Sequence, residues 1–178
     1  MAVITNIEMD HHSRWSGLAE LREAFATFAG KAEMVVEPFG MNAGDIETEA
    51  RADAPVAGAG RICFDLDRPG PTEVPLMVPG DHNVLDARAA IAALEGIGVE
   101  PEGVARALAS FPGVKRRLEY KGESHGARIY DDYAHHPTEV EASLSALRGL
   151  GPSRLIAVFQ PHLYSRTRAF SQEFGSAL

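Results

Sequence analysis

Three short stretches of this sequence gather groups that can move protons, hold cations or grip anions. They are Glu8-Met9-Asp10-His11-His12, Asp131-Asp132-Tyr133-Ala134-His135-His136 and Gln160-Pro161-His162-Leu163-Tyr164-Ser165-Arg166, and five of the seven histidines fall in them. Each follows a strand-like run, and in open α/β sheets ligands bind beyond the carboxyl ends of the strands. Random placement would not concentrate imidazoles there, so a ligand or catalytic cleft is expected.

The chemistry differs from loop to loop. Asp10-His11-His12 offers an imidazole beside a carboxylate, an arrangement suited to a divalent metal; the alternative is a turn capped by Asp10 with solvated histidines. Asp131 to Glu139 sets two carboxylates, a phenol and two imidazoles before a predicted helix N-terminus, where unpaired N–H groups and the helix dipole favour anions. One cap and one turn acid would satisfy the backbone, so the surplus of titratable groups favours a functional site. Arg166, at a helix start, has the planar fork that suits a carboxylate or phosphate, and a solvated arginine is the alternative. In Gly80-Asp81-His82-Asn83-Val84-Leu85-Asp86 the amide of Asn83 serves either as a helix N-cap or as a paired donor and acceptor matching the edge of adenine. Asp86 lies one turn later on the same face.

The elements that must position these groups follow from pattern. Ala2–Ile7 is a run of β-branched residues that predicts a strand. A helix follows, with Leu18, Leu21, Phe25 and Phe28 as its apolar face and Ser16 as its N-cap. Residues 40–60 show no period. Arg61–Leu66 and Val74–Val78 predict strands around the Pro69-Gly70-Pro71 turn. An Ala-rich helix runs from the Gly80 turn to about Gly96, and a shorter one covers about Pro101–Ser110, with Pro101 at its start. Pro112-Gly113 is the predicted domain boundary, separating residues 1–111 from 112–178. Beyond it, Arg117–Lys121 and Ala127–Tyr130 predict a hairpin across Gly122–Gly126. Pro137 opens a helix whose apolar face is Val140, Leu144 and Leu147. Leu155–Phe159 reads as a strand buried on both faces of a parallel sheet, and further helix follows from Ser165–Phe170, with Phe170, Phe174 and Leu178 at four-residue spacing. The alternation is that of an α/β protein.

Composition bounds the function. The chain has 178 residues, 45% hydrophobic and 24% charged, with a formal net charge of -8, which fits one domain or two small or incomplete ones. A single cysteine, Cys63, excludes a disulfide framework and a Cys-rich zinc module. No apolar run is long enough for a membrane span and no signal-peptide pattern is present. No basic cluster exceeds Lys115-Arg116-Arg117, so neither a nucleic-acid nor a membrane partner is expected, and a cytoplasmic protein is the default expectation.

Together the segments carry a resemblance. Thr5-Asn6-Ile7-Glu8-x-Asp10-His11, Gly80-x-His82-Asn83, Phe111-x-Gly113-Val114-x-Arg116-Arg117-x-Glu119, Asp131-Asp132-Tyr133-Ala134-His135-His136-Pro137-Thr138-Glu139 and Phe159-Gln160-Pro161-His162-x-Tyr164-Ser165-Arg166-Thr167 resemble the Mur ligases, in the family's order and over nearly the whole chain. The nearest pattern is that of the member joining L-alanine to UDP-N-acetylmuramate. A related murein-peptide recycling ligase is the alternative within the family, and a non-catalytic nucleotide-binding module the alternative outside it. The resemblance implies part of a central ATPase domain (1–111) followed by part of a Rossmann-like C-terminal domain (112–178). It implies ATP and Mg2+ as cofactors and ligation through an acyl phosphate in peptidoglycan precursor synthesis.

Carried over by position, the resemblance makes His11 a metal ligand, Asn83 and Asp86 adenine-side contacts, and Arg117 and Asp132 nucleotide contacts. Tyr133, His135 and Arg166 surround the incoming alanine, with His135 and Arg166 as catalytic residues. Asp86 stands where the family usually has asparagine, and Leu163 where some members have arginine. No G-x-x-x-x-G-K-[ST] loop occurs, so the chain is expected to be the back of one domain and the front of the next, and not to ligate alanine by itself.

Overall fold

The computed structural model describes residues 1–10, 14–38, 61–64 and 76–178. The readings for His11 and His12, for residues 40–60 and the turn at 69–71, and most of the strand expected at 74–78 lie outside these residues. The chain forms two compact units, Met1–Pro75 with Leu85–Leu108, and Leu76–Val84 with Ala109–Leu178.

The first unit is a parallel three-stranded sheet with helices. Its strands are β1 (Ala2–Val3), β2 (Val35–Pro38) and β3 (Arg61–Phe64), in the order β1-β2-β3, with Val36 opposite Val3 and Ile62. The backbone N–H of Ile4 still donates to Val36 O at 2.8 Å, so the β-branched run remains extended past the short ladder. Helix α1 (Leu18–Ala29) makes the crossover from β1 to β2. Alternation along β2 sends Val35 into a cluster with Ala2, Ile4 and Ala29, and Val36 into another with Ala89 and Ala92 of α2 (Asp81–Glu95). Both faces of β2 are therefore covered, which is the physical requirement of a parallel sheet. Helix α3 (Pro101–Ala109) starts at its proline, as predicted.

Two local expectations need correction. Phe28 is 51% exposed while Ala29 is buried, because the stripe that meets the sheet is centred on Phe25 and Ala29. Ser16 is not the N-cap of α1. Gly17 holds that position, and the Ser16 hydroxyl and backbone N–H both donate to Glu20 Oε2, at 2.6 and 2.7 Å.

The second unit begins with an antiparallel hairpin, β4 (Glu119–Ser124) and β5 (Ala127–Asp131). The predicted five-residue connection is in fact a two-residue turn, His125-Gly126, with φ of 52° and 79°. Positive φ at both central positions matches the right-handed twist of the strands. The register slips between Tyr120 and Gly122, where a bulge absorbs one residue. Helices α4 (Pro137–Gly149), α5 (Tyr164–Ala169) and α6 (Ser171–Ala177) complete the unit. Its core is Val140, Leu144, Phe174 and Ala177, with Leu155, Phe159 and Phe170 packed around them.

Leu155–Phe159 differs from expectation. Among the described residues it pairs with no strand, and although Leu155 and Phe159 join the core, Ile156 and Val158 are 69% and 96% exposed. An apolar run reports that a segment favours burial; it does not supply the neighbouring strands that would bury its second face.

Candidate active site

Asp132, Tyr133, His135 and Glu139 sit where β5 gives way to α4, and the segment leading into β4 is bound onto them. Asp132 makes that join. Its Oδ2 accepts from the backbone N–H of Leu118 and its Oδ1 from that of Ala134, both at 2.7 Å. The open end of the hairpin is thus closed by one carboxylate. Arg116 and Leu118 lie in the left-handed region, with φ of 59° and 47°, a conformation that costs energy in residues with side chains. The backbone of Arg116 is held on both sides: its N–H donates to Glu119 Oε2 at 2.9 Å and its carbonyl accepts from Tyr133 N at 2.8 Å. That hydrogen bond from the Arg116 backbone, with one from Lys121, holds the Glu119 carboxyl below the usual carboxylate range.

The turn at 116–118 points consecutive arginines at different partners. The Arg116 guanidinium lies 4.5 Å over the Tyr133 ring, with Nε 3.9 Å from Asp131 Oδ2. Arg117 Nη1 meets Glu139 Oε1 at 3.3 Å. Tyr133 in turn takes the His135 ring edge-on at 5.1 Å.

The surroundings of His135 select its tautomer. Nδ1 lies 2.9 Å from the carbonyl oxygen of Tyr133 and 3.4 Å from Glu139 Oε2, and both partners can only accept. The proton of the neutral ring therefore belongs on Nδ1. Nε2, which has no hydrogen-bond partner among the described residues, keeps its lone pair for a ligand. An imidazole in this state is a proton acceptor oriented by a carbonyl and a carboxylate.

His136 and Glu139 form the start of α4. His136 is the N-cap and Nδ1 accepts from Thr138 N at 3.4 Å, while Glu139 Oε2 accepts from His136 N at 3.2 Å, completing a capping box. The same oxygen accepts from His135 N at 2.8 Å. Burial pushes the Glu139 carboxyl up, but the His135 backbone N–H, the His135 imidazole and Arg117 outweigh it and hold the group below the usual carboxylate range. The His136 ring also meets Phe170 edge-on at 4.7 Å. Arg166 accepts through its carbonyl from Phe170 N at 2.9 Å, so it lies one turn before that contact, and it is 4% exposed.

Asn83 has a different setting. It is the third residue of α2, not its N-cap, and its Nδ2 donates to Pro79 O at 2.7 Å while lying 3.2 Å from His82 Nε2. Gly80, at φ +105°, makes this turn, and a Cβ there would lie 2.6 Å from His82 Cε1 and 2.8 Å from Ala146 Cβ. The Asn83 turn therefore packs on α4 in the second unit. Asp86 is exposed and falls in the first unit. His11 lies outside the described residues, among which no three His, Cys, Asp or Glu side chains gather as a metal-ligand set.

No individual role for Glu139, Arg116 or Asp131 follows from the sequence, although Asp131 is one of the two carboxylates in the cluster before α4. A signal for Glu139 was available, since an acid at the third helical position behind a capping residue and proline is the spacing of a capping box.

Residues 116–178 match the family described as Mur ligase, glutamate ligase domain. The whole chain is 38% identical to the UDP-N-acetylmuramate–L-alanine ligase of Thermobifida fusca and 41% identical to that of Paenarthrobacter aurescens, in each case covering 44% of the relative. Over its whole length the chain is similar to Mur ligases. It spans less than half the length of these curated Mur ligases. The crystal structure of a UDP-N-acetylmuramate–alanine ligase from Thermotoga maritima superposes with a TM-score of 0.73 at 25% identity, over 99% of this chain and 43% of the other. A murein peptide ligase from Psychrobacter arcticus shares the fold of this chain, with a TM-score of 0.53 at 21% identity, over 95% of this chain and 40% of the other. No helix among the described residues is long and apolar enough to cross a membrane.

Proposed function

We propose that this chain provides nucleotide- and amino-acid-facing parts of a cytoplasmic ligase that joins L-alanine to UDP-N-acetylmuramate. Residues 1–111 belong, in this reading, to the central ATP-binding domain and 112–178 to the Rossmann-like domain that receives the amino acid. The observation that carries it is the His135 geometry, an imidazole with its proton on Nδ1 and an open Nε2, beside Tyr133 and linked to Arg117 through Glu139. Whole-chain similarity to proteins named for that reaction supports the choice of substrates.

The residues fit a nucleotide. Arg117 spends one N–H on Glu139, leaving further donors for anionic oxygens. Each Asp132 oxygen accepts one backbone N–H and retains a lone pair for a hydroxyl. Asn83 uses its amide nitrogen locally, and its oxygen has no partner among the described residues. Arg117, Asp132 and Asn83 would hold ATP, which supplies the phosphoryl group that activates the acceptor carboxylate. His11 is the proposed Mg2+ ligand; the described residues offer no ligand set that would complete a site.

The chain's own contribution is to the amine. Alanine arrives as an ammonium, which has no lone pair for attack. His135 Nε2 takes one proton, the N–H electron pair stays on nitrogen, and the resulting imidazolium faces the Glu139 carboxylate. Arg166 binds the alanine carboxylate through its fork, and Tyr133 flanks the amine.

Titrating the chain with L-alanine by NMR tests this. Arg166→Lys keeps the charge but loses the fork, so alanine should bind roughly tenfold more weakly. Unchanged alanine affinity would remove Arg166 from the site. Preference for the L-Ala-γ-D-Glu-diaminopimelate tripeptide over alanine would reassign the amine substrate.

A further inference from the structure

We propose that Glu139 is a positioning residue, whose carboxylate orders Arg117 and His135 together for the reaction assigned above. The inference rests on that reading for its purpose, though not for its geometry.

Arg117 lies just before the hairpin and His135 just after it; the hairpin and the bonds at its open end register their backbones but do not touch the Arg117 and His135 side chains. Glu139 touches both. Oε1 takes Arg117 Nη1 at 3.3 Å, while Oε2 takes His135 N at 2.8 Å and lies 3.4 Å from His135 Nδ1. Its own place is fixed by the capping box and by Pro137 at the helix start. The carboxylate is thus the rigid member, and the arginine and the histidine are the groups it orders. The division of labour is legible in the atoms: one oxygen serves the nucleotide-side cation, the other the amine-side base.

Other groups bear on the same place. Arg116 and Asp131 face the Tyr133 side of the cluster, where they pair with each other. Asp132 turns both oxygens to the backbone. Glu139 is therefore the acid among these that reaches Arg117, and its charge is what a neutral isostere would remove.

Glu139→Gln separates positioning from folding. The glutamine oxygen can still accept the His135 and His136 N–H groups, so the capping box and the melting temperature should largely survive. The Arg117 side chain should become mobile, its 15N heteronuclear NOE at Nε falling to that of an exposed arginine such as Arg22. With ATP as the probe, the dissociation constant should rise about fivefold, as expected for losing the ordering of Arg117 by one partly exposed ion pair. In an Arg117→Ala background the same change should have almost no effect on ATP binding. Glu139→Asp, which keeps the charge, should restore part of the affinity.

An Arg117 NOE unchanged in Glu139→Gln overturns the proposal, as does tighter ATP binding, which would make Glu139 a competitor for Arg117. Equal loss of affinity in both backgrounds also overturns it. If Arg117 loosens but ATP leaves Arg117 and Asp132 unmoved in the wild-type chain, the positioning role stands and the nucleotide reading fails.

Discussion

Phe174→Ala is expected to cost the second unit about 3–5 kcal/mol, the usual penalty for emptying a buried aromatic site. Phe174 is at the centre of that unit's core. It is buried beside Val140, Leu144 and Ala177, and its ring lies 5.1 Å from that of Phe159. Helix α6 is short, so its attachment to α4 depends on this side chain rather than on intrinsic helicity. Urea unfolding followed by circular dichroism measures the loss. A change below about 1 kcal/mol, the range of surface substitutions, would mean that the α4–α6 contact is not the core of the unit.

Asp132→Ala is the second large effect, and it joins stability to binding. Two backbone N–H groups lose a charged acceptor, which should cost about 2–3 kcal/mol. Leu118 and Arg116 are held in left-handed conformations by this network, so the turn that aims Arg117 should relax as well. Affinity for ATP is then expected to fall even if Asp132 never touches the nucleotide. Asp132→Asn should lie between the two, because an amide offers one acceptor oxygen where two N–H groups point inward. Wild-type stability in the alanine variant would show that water replaces the carboxylate, and would return Asp132 to a purely ligand-facing role.

How far the sequence could be read depended on the kind of signal. Helices α2, α3 and α4 were legible because glycine and proline mark their starts: Gly80 for its positive φ, Pro101 and Pro137 for their preset φ. The hairpin was legible from its alternation, but its turn was misplaced, because a bulge near Lys121 shifts the register and no local pattern announces it. Ser16 matched the composition of a cap, yet the carboxylate of Glu20 reached it first. Leu155–Phe159 was read correctly as apolar and incorrectly as a paired strand, since pairing depends on partners that periodicity does not report.

The candidate site shows the same division. The surplus of titratable groups between Asp131 and Glu139 points to function. Three of those groups have backbone work: Asp132 closes the hairpin, His136 caps α4, and Glu139 completes the cap. What remains for a ligand is narrower, namely Tyr133, the open Nε2 of His135 and one lone pair on each Asp132 oxygen, with the spare donors of Arg117 from before the hairpin. Only coordinates reveal which lone pairs are already spent.

The most direct measurement is a pair of NMR titrations of the isotope-labelled 178-residue chain, one with ATP and one with L-alanine. The account predicts that alanine shifts the signals of Tyr133, His135 and Arg166, while ATP shifts those of Arg117, Asp132 and Asn83. Silence from all six residues under both ligands, or shifts confined to α1 and the β1–β2 sheet, would contradict it.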